Sequence, residues 1–129
     1  MKISYIKGVF SLYKIEVNES KKAFIVIVDG FIQEEEGMQF LTDYKSNVSK
    51  VNPKEYSMII GVENLVVSKK EMLPVRGQAI SMYMDTGFKR YFGTYPKSAI
   101  AKVQLSKIVK EKNFDVTFKD SVNEILEIL

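Results

Sequence analysis

Apolar positions recur with two different periods along this chain. From Ile3 to Lys7 and from Val9 to Val17 they nearly alternate, through Ile3, Tyr5, Val9, Tyr13, Ile15 and Val17. That is the period of half-buried strands, with Gly8 as a bend between them. A polar turn, residues 18–22, then predicts an antiparallel hairpin between the second strand and a third. Ala23 to Ile32 is a continuous apolar run, as in a central strand buried on both faces. Asp29-Gly30 reads as a turn within it. The period changes to three and four from about Gln33 to Val51, where Met38, Leu41, Tyr44, Val48 and Val51 form one helical stripe. Glu34, Glu35 and Glu36 suit the positive end of that helix dipole, and Asn52-Pro53 ends it.

A second helix is predicted from Lys69 to Asp85, after a strand at Ser57–Val62 and a loop at Glu63–Val67. Ser68 and Glu71 have the spacing of a capping box. Met72, Val75, Ala79, Ile80 and Tyr83 line its apolar face. Pro74 removes an intrahelical hydrogen bond, so the start is irregular and the regular helix begins near Pro74. Thr86-Gly87 closes it. Phe88–Tyr95 is a short strand, and Ala101, Leu105, Ile108 and Val109 mark a helix over Ser98–Lys112. Phe114–Phe118 alternates as a strand. Asp120-Ser121 caps a last helix through Val122, Ile125, Leu126 and Leu129. The order β-β-β-α-β-α-β-α-β-α predicts one α/β domain over residues 1–129, a mixed β-sheet covered by helices and threaded by right-handed crossovers.

Composition narrows the chemistry. The 129 residues include no cysteine and no histidine. Disulfides, thiolate metal sites, cysteine nucleophiles and Ser–His pairs are therefore excluded. Nineteen basic residues face sixteen acidic ones, for a net charge of +3. The basic residues form separate pairs, Lys21-Lys22, Lys69-Lys70 and Lys89-Arg90, not the clustered patch that nucleic acid requires. No apolar h-region follows Lys2, and the run Ala23–Val28 is too short to span a bilayer, so a cytoplasmic protein without stable membrane insertion is expected. Glu34–Glu36 point about 100° apart in turn and do not chelate. Ser4-x-x-Lys7 and Ser11-x-x-Lys14 fall on strands, where positions i and i+3 face opposite sides. Two convergent acids for a carboxylate hydrolase are not apparent in the spacing. No enzyme, metal or cofactor is expected.

Three segments carry a resemblance: Tyr56-Ser-Met-Ile-Ile-Gly-Val62, Thr86-Gly-Phe-Lys-Arg90 and Ser98-Ala-Ile-Ala-Lys-Val-Gln-Leu105. Together with the element order they resemble a STAS domain, the fold of bacterial anti-sigma-factor antagonists, and especially the stand-alone STAS-like proteins of Gram-positive bacteria. The resemblance implies regulation through protein contact, with a serine phosphorylated by a partner kinase where helix two begins. That family's Asp-Ser-Ser-Gly-like motif is replaced here by Val67-Ser68-Lys69-Lys70-Glu71. Ser68 is the one candidate phosphosite there, and an N-cap is its simpler reading. The partner-binding surface is expected at Leu65, Val66, Val67, Ser68, Lys69, Lys70 and Gly77. Leu65-Val66-Val67 is apolar where a loop should be polar, so it either plugs the core or meets a partner. Gly77 admits close approach of a partner or of a neighbouring helix. The alternative function is a small hydrophobic ligand or lipid-binding module, and a homodimer is compatible with either.

Overall fold

The computed structural model describes residues 2–6, 9–29 and 34–129, and the side chains of 13–29 and 37–129. Six strands form one sheet: β1 Lys2–Ile6, β2 Val9–Asn18, β3 Ala23–Asp29, β4 Ser57–Gly61, β5 Arg90–Thr94 and β6 Thr117–Lys119. Four helices follow in turn: α1 Glu34–Val48, α2 Leu73–Thr86, α3 Ala99–Glu111 and α4 Val122–Glu127. The fold is α/β, as the periodicity predicts. The bend at Gly8 and the residues after Asp29 in the third apolar run lie outside the described residues, as do the side chains of Glu34–Glu36.

Strands lie in the sheet in chain order, β1-β2-β3-β4-β5-β6. β1, β2 and β3 pair antiparallel, and β3 through β6 pair parallel. Three right-handed crossovers that all step the same way must place their helices on one face. The packing agrees. β3 sends Phe24, Val26 and Val28 toward Phe40 and Tyr44 of α1 and Tyr83 of α2. Its other face sends Ala23 and Ile25 to Ile59, Phe92 and, on α4, Ile125. β3 is therefore central and covered on both sides.

Rings dominate the three-helix side. Phe24 meets Tyr44 edge-on at 5.7 Å and Phe88 at 5.1 Å, and Tyr44 meets Tyr83 at 5.6 Å. The inward row of α1 is Phe40, Tyr44 and the partly buried Val48, at intervals of four. This corrects the predicted stripe: Met38 and Leu41 are exposed. Val75 of α2 is exposed as well, and Gly77, Ile80 and Tyr83 are the residues that α2 buries.

Helix ends show where capping chemistry operates. The capping box predicted at Ser68 and Glu71 does not form. A 3-10 turn at Lys70–Met72 intervenes, its N-cap is Lys69 with no side-chain bond, and α2 begins at Leu73 with Pro74 in its first turn. Proline is tolerated there because the N–H it lacks would have no partner. Ser121 does cap α4: its Oγ accepts the Glu124 N–H at 3.1 Å, and the Glu124 carboxylate accepts the Asp120 N–H at 3.3 Å. Gly87 ends α2 in the left-handed conformation, with φ +76°. Gly61 has a different reason. A Cβ there would stand 3.0 Å from Val122 and 3.1 Å from Ile27, so its smallness lets α4 seat on the sheet.

Candidate functional site

The loop between β4 and α2 is fastened along its length. Where β4 ends, the Val62 N–H donates to Thr94 Oγ1 of β5 at 2.8 Å, with both residues buried. The Glu63 carbonyl accepts the Lys97 N–H at 2.9 Å. Leu65 is buried in the ring-rich core. Ser68 then forms a two-point bond with Gln104 of α3: the Ser68 N–H donates to Oε1 at 2.9 Å, and Nε2 donates to the Ser68 carbonyl at 3.0 Å. A side-chain amide bonded this way acts as a substitute strand edge and leaves no orphaned backbone group. The Ser68 hydroxyl accepts from Arg76 Nε at 3.1 Å.

These bonds divide the predicted surface. Val66 and Val67 point outward, 40% and 46% exposed, and Lys69 and Lys70 are exposed beside them. Leu65, Ser68 and Gly77 are buried, which corrects their expected place on the surface. Leu65 is the core plug. Gly77 faces α3, where a Cβ would meet Lys112 Cε at 3.3 Å and Ile108 at 3.9 Å, so the helix–helix reading of this glycine holds. Ser68 serves neither as a helix cap nor as an open hydroxyl. Its oxygen meets a guanidinium, and among the described residues no base is bonded to it to take its proton.

Five residues of the site escape the hydrophobic pattern. Gln104 stands three residues after Ala101 and four before Ile108, both buried, so it occupies a stripe position with a polar side chain. That mismatch is the signal that would have found it. Thr94 is fully buried at the end of β5, again a polar group in an apolar setting. Arg76 is half-buried, and burial lowers its pKa. Ile100 and Val103, on the outward face of α3, are 61% and 68% exposed.

Two concavities lie elsewhere. An open groove of about 690 Å³ separates α1 from α2, with Tyr44, Val48, Pro53 and Met82 among its walls. A polar pocket of about 280 Å³ at the carboxyl ends of β3 and β4 brings Asp29 and Glu63 together. The sequence spacing gave no hint of this pair of acids. Asp29 accepts from Asn64 Nδ2 at 3.3 Å, and Glu63 accepts the Val122 N–H at 3.3 Å, so both carboxylates tie the loop and α4 in place. Among the described residues, no group of three or more acidic side chains is arranged to hold a metal, and no helix is long and apolar enough to cross a membrane. No protein-family model matches the chain, and no curated protein matches it.

Proposed function

We propose that this chain is a non-enzymatic, STAS-like regulatory module that binds another protein through the loop after β4. One observation carries the reading: Val66 and Val67 are exposed on a loop whose backbone is bonded to β5 and α3 and whose Ser68 hydroxyl is bonded to α2. A rigid loop with two exposed valines loses little entropy when a partner covers it. The lack of a base at Ser68 supports a binding role over nucleophilic catalysis. The buried hydroxyl also argues against a phosphoswitch of the usual form, since a kinase would first have to free Ser68 from Gln104 and Arg76. The small-ligand alternative finds less support. Phe24, Val26, Met58, Ile59 and Ile125 are almost completely buried in the two core clusters that flank the sheet.

Affinity capture with the tagged chain tests the reading. Val66→Asp with Val67→Asp should abolish capture of the partner and leave the thermal melt unchanged. Ser81→Arg, which fills the groove between α1 and α2, should leave capture intact. Capture that survives the double change, or is lost on filling the groove, would sink the assignment.

A further inference from the structure

Charge is unevenly divided along this chain. Residues 66–112 contain ten Lys and Arg against three Asp and Glu, and the remaining residues contain nine against thirteen. The basic part includes the outward half of the fastened loop, α2 and α3. Its cations are not internally neutralised. Among the described residues the ion pairs are Lys14–Glu16 and Lys22–Glu55, and both lie outside this segment.

Four exposed aliphatic side chains, Val66, Val67, Ile100 and Val103, belong to the same segment. Gln104 is bonded to Ser68, the next residue after Val67. On a helix, the residue four positions earlier is a surface neighbour. Ile100 therefore adjoins the point where the loop meets α3, with Val103 beside it on the exposed side. Lys107, three residues after Gln104, is exposed as well. At the inner edge lies Arg76. It is half-buried, its Nε donates to the Ser68 hydroxyl, and no carboxylate pairs with it among the described residues. A partly desolvated guanidinium without a counter-ion is costly, and an incoming carboxylate would relieve that cost.

We infer that this surface docks an acidic, aliphatic segment of a partner protein, with apolar side chains over Val66, Val67, Ile100 and Val103 and carboxylates toward Lys69, Lys70 and Arg76. The inference rests on the protein-binding reading and adds the partner's chemistry and the share of α3. Single-stranded nucleic acid fits this surface less well because it needs rings to stack on. The nearby exposed ring, Tyr95, is stacked on Phe118 at 5.0 Å and covered by Lys102 at 4.4 Å. A lipid surface would favour Trp, Phe or Leu at the apex, and the four exposed residues are all β-branched.

Panning a displayed random peptide library on the immobilised full chain tests this. Enriched peptides should carry Asp and Glu around Leu, Ile or Val. Their affinity should fall on the order of tenfold with Lys69→Glu plus Lys70→Glu. It should fall as far with Ile100→Ser plus Val103→Ser, fall with added salt, and be unchanged by Lys50→Glu. All variants should melt like the parent chain. Peptides that need Val66 and Val67 but show no acidic excess would overturn the acidic-partner inference and leave the protein-binding reading standing. Peptides indifferent to Val66 and Val67 would overturn both. Tighter capture of phosphatidylserine vesicles or of an oligonucleotide, lost in the lysine variants, would reassign the surface and overturn the inference.

Discussion

The loop surface and the groove between α1 and α2 both expose apolar atoms, but they are built in opposite ways. At the loop, polar groups of the backbone are bonded inward to Thr94 and Gln104, and the aliphatic side chains project outward. In the groove, the walls are concave and two lining hydroxyls, those of Thr86 and Tyr44, are spent within the wall. Thr86 donates to the Met82 carbonyl at 2.9 Å, which leaves its oxygen to accept from Tyr44 at 2.7 Å. A small-molecule site needs a few convergent polar groups to orient its ligand, and two of the groove's lining hydroxyls, those of Tyr44 and Thr86, already bond each other. The contrast teaches that exposure of apolar surface is not by itself a site. What distinguishes the loop is that its backbone is bonded to the body of the fold while Val66 and Val67 stay exposed.

The largest expected effect comes from removing the inward half of the loop. Leu65→Ala should cost about 2–5 kcal/mol, the range for truncating a buried leucine, read as a lower urea midpoint. A loss below about 1 kcal/mol would mean that Leu65 is no plug and that the loop is not anchored by the core.

Alkaline pH should act next, through the rings beneath the groove. Burial pushes the Tyr44 phenol from 10.0 up to about 12, and burial raises Tyr83 further still. A raised pKa means that the folded state favours the neutral phenol. Its contribution to stability is therefore complete below pH 10.0 and is lost as pH rises toward about 12. Denaturation curves taken at rising pH should show that decline, and Tyr44→Phe should reduce it. A flat profile through this window would contradict the burial of these rings.

The smallest effect on stability, and the sharpest on the comparison, should come from Gln104→Ala. It removes both bonds to Ser68 and should cost about 1–2 kcal/mol. Amide hydrogen exchange should quicken at residues 66–69 and stay unchanged around the groove. If exchange quickened equally in both places, the loop would not be held separately by α3.

Much of the architecture was legible in the sequence because it follows from periodicity. The run Ala23–Ile32 reads as buried on both faces, and its described part, Ala23–Asp29, is covered on both, while the stripe through Ala101, Leu105 and Ile108 identifies the packed side of α3. What failed were choices among equally apolar residues. Phe40 and Met38 both fit a helical stripe, and the rings of Tyr13 and Phe24 decided in favour of the row holding Phe40 and Tyr44. The candidate site was half legible. The apolar loop stood out, but Ser68 and Glu71 matched a cap by spacing alone, and Pro74 moved the helix start beyond their reach. Gln104 and Arg76 are 36 and 8 residues from the serine they hold. No local pattern marks such a contact.

The one-sided crossovers have a consequence for synthesis. α4 follows all six strands in the chain, and it is a short helix of six residues that cannot persist alone in water. Until it forms, Ile25, Ile59 and Phe92 lack their cover, although the three-helix side can already be complete. A nascent chain paused before Ser121 therefore presents a paired sheet with one greasy face, a natural substrate for chaperones and a point from which aggregation can start.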